Sequence, residues 1–301
     1  MQDLHLLPKL RDSLSYFYVE HAIVERDASA IKILREEGRV QLPAAGLAVM
    51  LIGPGTSVTH AAVKLLTESG CTLVWVGEDG TRCYAQGMGE TRKGYRLVRQ
   101  ATLVSDPDLR VQVIRRMYTH RFAEDVPADA TLQQIRGMEG GRMRNVYAMY
   151  ARRCGVVWEG RSYDRGNWNN SDPVNRALSA ANALLNGICH AAIVSGGYSP
   201  GLGFIHTGKQ LSFVYDIADL YKTEITIPVA FTEAGQGIEK LESRVRQRCR
   251  ERFKEVKLLE RILPDIDRLL DITDDGPDAP DYDADQALPG PYWDPEEEGD
   301  S

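Results

Sequence analysis

Long apolar runs, paired cysteines and a basic tail are missing from this sequence, and each absence narrows what the chain can be. No stretch of about 18 uninterrupted apolar residues occurs, so the sequence predicts no transmembrane helix. The opening MQDLHLLPKLRDSLS lacks the basic, apolar and small-residue succession of a secretory signal, so the expected compartment is the cytoplasm. Five cysteines, Cys71, Cys83, Cys154, Cys189 and Cys249, are scattered without a CxxC pair. Their odd number and wide spacing fit buried thiols in a reducing compartment better than a disulfide framework or a zinc site. The net charge of −7 is unevenly spread, because residues 271–301 carry twelve acids and no Lys or Arg. Without that stretch 36 basic side chains face 31 acidic ones, a body of about +5 that is compatible with a polyanionic partner without demanding one.

What is present suits a globular chain of two cores: 301 residues, 43% apolar and 26% charged. SYFYVEHAIVERD, SAIKIL, GRVQL and LAVMLIG are short, rich in β-branched and aromatic residues, and separated by turn-forming clusters, the pattern of strands. One helix interrupts them, SVTHAAVKLLTESG, capped by Ser57 or Thr59 and closed by Gly70, before two more strands, CTLVWVG and TRCYAQG. After a basic connector, GETRKGYRLVRQ, the apolar period changes to 3.6 in DPDLRVQVIRRMYTHRF, TLQQIRGMEGGRMRNVYAMYARRCG, DPVNRALSAANALLNGICHAAIV, LSFVYDIADLYK and LESRVRQRCRERFKEVKLLERIL. The expected fold is therefore α+β. A small N-terminal mostly-β domain (1–88) precedes a larger all-α domain (89–270), and an acidic, proline-rich, disordered tail follows (271–301).

In LSFVYDIADLYK two carboxylates, Asp216 and Asp219, stand three apart and so share a helix face. Like charges so close are tolerated if the face is wet, if a basic side chain lies opposite, or if a cation binds. Just upstream PGLGFIHTGK surrounds His206 with Gly201, Gly203 and Gly208, a loop that could deliver an imidazole to the same place. A lone histidine and a pair of helical acids are also common structural features. On the helix beginning at Leu132, Glu139 falls in the middle of the apolar stripe Leu132, Ile135, Met143, Val146 and Tyr150. A core-facing carboxylate is costly unless paired or metal-bound; Arg136 or Arg142 could pair with it, or a cation could bind. Glu139, His206, Asp216 and Asp219 together make a hard, oxygen-rich set suited to Mg²⁺ or Mn²⁺ and to phosphodiester chemistry. Arg246, Arg250 and Lys254 recur every four residues opposite Val245, Cys249, Phe253 and Val256, a stripe that could track phosphates or simply face solvent. Trp158, Tyr163 and Trp168 alternate with Arg161 and Arg165 in one loop, either to stack unpaired bases or to anchor the loop to the core.

The segments GPGTSVTHAAVKLL, LVWVGEDGTRCYA, RGMEGGRMR, GFIHTGK and LSFVYDIADLYK, in this order, resemble the CRISPR adaptation integrase family, the Cas-one proteins, of the type I-E subclass. The resemblance covers the chain to about residue 265. It implies an N-terminal β domain that mediates homodimerisation and a helical catalytic domain with a divalent-metal site. Carried over by position, the ligands would be Glu139, His206 and Asp219, with Asp216 an additional essential acid and Mg²⁺ or Mn²⁺ the cofactor. Arg82, Tyr163, Trp168, Lys209, Arg246 and Arg250 match positions that face nucleic acid. The implied reaction joins 3′-hydroxyl ends of a protospacer DNA into the leader–repeat boundary of the CRISPR array by transesterification. Two homodimers would flank a dimer of the small Cas-two partner, forming a heterohexamer with no membrane involved.

The sequence departs from some relatives at His21, where a tyrosine brackets the duplex end, and at Asn186, where a tyrosine is associated with reading the protospacer-adjacent motif. Tyr292 and Trp293 give the acidic tail an aromatic pair that could dock on the partner or near the DNA end. Two other functions use the same residues differently: a metal-dependent endonuclease of branched DNA that does not join strands, and a non-catalytic DNA-binding scaffold.

Overall fold

The computed structural model describes residues 16–47, 49–78, 83–87, 94–122, 126–127, 130–161 and 172–272. The expected α+β build is present: a strand-rich part up to residue 87 and a helical part from residue 94. The acidic tail beyond residue 272, and with it Tyr292 and Trp293, lies outside the described residues.

Strands β1 (Tyr16–Val19), β2 (Ile23–Asp27), β3 (Ala30–Arg35), β4 (Gly38–Pro43), β5 (Val49–Ile52), β6 (Ser57–Val58), β7 (Thr72–Val76) and β8 (Cys83–Gly87) form two four-stranded sheets. One runs β1-β5-β7-β8, parallel except for β8; the other runs β4-β3-β2-β6, with Val24 opposite Ile33 and Ile31 opposite Leu42. Helix α1 (His60–Glu68) covers the shared core. Thr59 rather than Ser57 is its cap, accepting from Ala62 N at 3.3 Å, while Ser57 and Val58 pair with β2. His21 sits in the left-handed region at φ 48°, where the absence of a side chain on Gly55 leaves room for its ring.

The strand period of two decides how the halves join. Successive side chains of a strand point to opposite faces. Met50, Ile52 and Leu73 therefore enter the core between the sheets, whereas Val49, Leu51, Val74 and Val76 face the other way onto Ala191 and Val194. Those two residues belong to α5 (Pro173–Ser195), so the all-apolar run of β5 reflects burial on both faces.

The helical part comprises α2 (Tyr95–Ser105), α3 (Pro107–Phe122), α4 (Leu132–Cys154), α5, α6 (Ser212–Tyr221), α7 (Ile227–Gly235), α8 (Leu241–Glu255) and α9 (Leu258–Leu269). Local chemistry fixes several ends. Thr131 and Gln134 form a capping box on α4, which stops at left-handed Gly155, and Asp172 caps α5 ahead of Pro173. By length and hydropathy α5 could cross a membrane, but its faces are taken by α6, α7, α8, α9 and the sheet, which makes it the core helix.

Three expectations are corrected. The basic connector is half helix: α2 buries polar Gln100 while leaving Leu97 and Val98 exposed, so its periodicity is invisible to an apolar count. The long helix from Leu241 breaks at Lys257, which turns left-handed without a glycine to mark it. Between α6 and α8 the sequence offered no element, yet a π-helical turn (Lys222–Thr226) leads into α7.

Three buried tyrosines each donate their hydroxyl to a carboxylate: Tyr118 to Glu139, Tyr198 to Asp267 and Tyr221 to Asp265. Burial, then the neighbouring negative charge, raises all three above the ordinary tyrosine range. Their protons stay on in the folded chain above about pH 10, where the unfolded chain loses them. This contribution to stability is complete below about pH 10 and falls as pH rises, by about 1.4 kcal/mol per pH unit for each tyrosine. Denaturant unfolding between pH 10 and 12 should approach that slope, and Tyr198→Phe should make it shallower.

Candidate active site

His206 owes its position to a carboxylate that solvent never reaches. Asp216, at 0% exposure on α6, accepts from Phe204 N at 2.6 Å and Ile205 N at 3.0 Å through Oδ2. Its Oδ1 accepts from His206 N at 2.9 Å and meets His206 Nδ1 at 2.7 Å. A buried charge is tolerated only when its lone pairs are filled, and here they are. With Nδ1 donating to the carboxylate, the lone pair of a neutral imidazole falls on Nε2, on a side chain 44% exposed. The hydrogen bond to Asp216 raises the His206 pKa first, burial opposes it, and the Asp216 and Asp219 charges add to the rise.

Other elements hold the same loop. Gln100 of α2 donates to Ser199 O at 3.0 Å and Leu202 O at 2.9 Å, and its Oε1 accepts from Ser199 N at 2.8 Å. Arg110 of α3 donates twice to Phe204 O, at 2.9 and 2.6 Å. At Gly203 a Cβ would lie 2.3 Å from His206 O and 2.7 Å from Ser212 Cβ, so only glycine fits. Lys209, three residues past His206, is exposed.

The second half of the site comes from α3, α4 and α6. Asp219 lies one turn beyond Asp216, 15% exposed, with Oδ2 3.7 Å from Arg121 Nη1. Its Oδ1 is ion-paired with Lys222. Glu139 accepts from the Tyr118 hydroxyl at 2.8 Å through Oε2, and its Oε1 pairs with Arg121 Nη1. Its cationic partner is thus Arg121 of α3, not Arg136 or Arg142 of its own helix. Arg142 instead lies over the Phe122 ring at 5.0 Å.

The four sequence-derived residues are therefore arranged in two layers. Glu139 and Asp219 are bridged by Arg121, with His206 close enough to feel the Asp219 charge, while Asp216 faces the loop and has no free oxygen. Among the described residues no three His, Cys, Asp or Glu side chains stand ready-made around one point. The donor chemistry nevertheless fits a hard divalent cation. Two carboxylates that share Arg121, with an imidazole whose lone pair falls on Nε2, are the oxygen-rich donor set with one neutral nitrogen that such a cation accepts.

Arg82, Tyr163 and Trp168 lie outside the described residues. On α8 the buried side is Val245, Cys249 and Phe253, with Val256 half-buried; Arg246 and Arg250 occupy its half-exposed flank and Lys254 is exposed. Neighbouring arginines pair with acids, Arg248 with Glu251 and Arg252 with Glu255. Trp158 is an anchor, its ring 4.9 Å from Tyr147 and 5.3 Å from Phe231, and Arg161 is bound to Asn175 and Ser179. Of the two roles, anchoring is the one Trp158 fills in the structure. Sequence reasoning missed Tyr118, Arg121, Gln100 and Arg110. The one available signal was Tyr118 and Arg121 sharing an α3 face at three-residue spacing.

An α+β protein whose helical half carries a carboxylate-clamped imidazole and an arginine-bridged pair of acids is the class that fold and site define. The family model described as CRISPR associated protein Cas1 matches residues 16–123 and 116–242. The chain belongs to the Cas1 family. A CRISPR-associated endonuclease Cas1 of Thermus thermophilus is 53% identical over 297 residues, 99% of this chain and 91% of its own length. Its counterpart from Escherichia coli is 40% identical over 276 residues, 91% of this chain and 90% of its own. A crystal structure of TtCas1 in complex with DNA matches at a TM-score of 0.81 and 56% identity, covering 88% of this chain and 99% of that one. A Cas1 protein from Thermotoga maritima, at 15% identity and a TM-score of 0.55 over 85% of this chain and 96% of that one, shares the fold.

The two aspartates should separate cleanly on mutation. In Asp216→Asn the amide NH₂ meets donors, leaving the loop amides and His206 unsatisfied. The expected cost is about 3 kcal/mol or more in urea unfolding. Asp219→Asn should cost less than that, because Arg121 keeps its pairing with Glu139 and the Lys222 side chain retains 23% exposure. Equal losses in the two variants would contradict the layered arrangement.

Proposed function

We propose that this chain is a divalent-metal-dependent DNA integrase of CRISPR adaptation. It would join protospacer 3′-hydroxyl ends into the CRISPR array by transesterification, as a Cas1 of the type I-E subclass acting in the cytoplasm. The observation that carries the reading is the Asp216-clamped His206 beside the Glu139 and Asp219 pair. Family membership supports a role in CRISPR adaptation, and the relative solved with DNA supports a DNA substrate. Glu139, His206 and Asp219 would hold Mg²⁺ or Mn²⁺. Bound there, the cation would polarise the phosphodiester and assist ionisation of the attacking hydroxyl.

The chain's own residues do the rest. Asp216 and Gln100 keep the His206 loop from swinging, so Nε2 is presented at one place. The imidazole serves as a neutral donor, so acid that protonates Nε2 opposes metal binding. Lys222 and Arg121 offset the negative charge of the carboxylates, which would otherwise repel a phosphate. Lys209 and the Arg246–Arg250 flank of α8 would neutralise backbone phosphates, with Arg82, Tyr163 and Trp168 the further contacts implied by family position. The assembly in this reading is a homodimer, two of which flank a Cas-two dimer in a heterohexamer.

The test incubates the chain and its Cas-two partner with a labelled short duplex and a supercoiled CRISPR-array plasmid in Mn²⁺ or Mg²⁺. Label should become covalently joined to plasmid with native protein and not with His206→Ala or Glu139→Ala, while both variants still bind DNA. Nicking without label transfer would make the chain an endonuclease that does not join strands. Undiminished joining by Glu139→Ala would make it a scaffold.

A further inference from the structure

Arg121 is the most deeply placed cation in the site. Its side chain is 5% exposed, and it touches both carboxylates that the proposed function assigns to the metal. Nη1 pairs with Glu139 Oε1 and stands 3.7 Å from Asp219 Oδ2, while Lys222 takes the other Asp219 oxygen. Two acids thus meet two bases, and the buried charge is balanced by the chain itself. Without that balance the carboxylates would repel each other across a poorly solvated gap.

The rest of the guanidinium is weakly held. Nη2 rests on the Met143 thioether at 3.1 Å, a poor acceptor, the face of the group lies over Phe122 at 5.2 Å, and Nε is buried without a hydrogen-bond partner. Its strong contacts are therefore with the metal-binding carboxylates themselves. Glu139, by contrast, keeps a second hold, the Tyr118 hydroxyl on Oε2, whether or not Arg121 is in place. A cation that takes the carboxylates removes nearly everything that fixes Arg121 and leaves Glu139 still oriented.

We infer that Arg121 is the resident counter-cation of the Glu139–Asp219 pair, and that a divalent metal binds by exchange with its guanidinium. The inference rests on the metal-dependent reading above. It has a consequence of definite sign. The affinity observed for the metal is the intrinsic affinity reduced by the fraction of molecules in which Arg121 has already moved aside. Shortening or neutralising Arg121 should therefore tighten metal binding. A merely structural arginine predicts the opposite, because carboxylates that have lost their bridge drift apart and hold a cation less well.

The experiment titrates MnCl₂ into the full chain without DNA, by calorimetry and by the electron paramagnetic resonance signal of free Mn²⁺. It compares native protein, Arg121→Gln, Arg121→Lys and Glu139→Gln. Arg121→Gln should bind about tenfold more tightly than native, as expected if the cleared state is a ~10% population. Its melting temperature should start lower and rise further on adding Mn²⁺. Arg121→Lys, whose single ammonium cannot bridge both acids, should show a smaller gain in the same direction and serves if the glutamine variant does not fold. Binding that is unchanged or weaker in the arginine variants, yet lost in Glu139→Gln, would overturn the exchange and leave the metal reading standing. Native protein that binds no Mn²⁺, or binds it independently of Glu139, would overturn both.

Discussion

Everything that gives His206 a fixed place depends on one carboxylate. Asp216 is fully buried and accepts from three consecutive backbone amides as well as the imidazole of the third residue. An ionised acid in such a position is either the most expensive group in the helical core or one of its best-satisfied; the four contacts make it the second. The consequence reaches beyond the loop. Because α6 carries both Asp216 and Asp219, the clamp that holds the imidazole also sets the distance from that imidazole to the next acid on the helix.

The helical core makes that arrangement rigid. Asp216 can stay dry because Phe204, Phe213 and Ile217 surround its part of α6, in a core organised around α5. The same α5 offers Ala191 and Val194 to β5 and β7, so the strand-rich part and the site-bearing part share one central element. Around the site the charges alternate: Glu139, Arg121, Asp219, Lys222. At the far side Tyr221, next to Lys222, donates to Asp265, which also meets His120, next to Arg121, at 3.7 Å, and Arg268. The two cations of the site therefore extend from a second buried network through adjacent residues on α3 and α6.

Much of this was legible in the sequence, for identifiable reasons. Strands with period two, the Thr59 cap of α1 and the apolar stripe of α6 are local signals, and the structure follows them. The anomaly of Glu139 inside an apolar stripe was legible too, since a carboxylate there demands a partner. Which partner was not. Arg121 reaches it from α3 across the helix interface, a relation set by tertiary packing that no spacing along the chain encodes. The two roles of Asp216 and Asp219 were hidden for a similar reason, because helical spacing gives them one face without saying that a loop covers half of it. Gln100 was missed because its helix buries the amide and exposes leucine and valine, the reverse of the pattern a sequence reader counts. Lys257 turning left-handed, with no glycine to mark the break, hid the end of α8.

The most direct measurement is an anomalous diffraction map from crystals of the full chain grown with Mn²⁺. The expected result is one manganese peak in contact with Glu139, Asp219 and His206 Nε2, with Asp216 still accepting from the loop amides and Arg121 moved off the carboxylates. A peak coordinated by Asp216 with His206 turned away, or no peak at these residues when Mn²⁺ is bound elsewhere, would contradict the central claim that Asp216 positions the imidazole and the outer acids receive the cation.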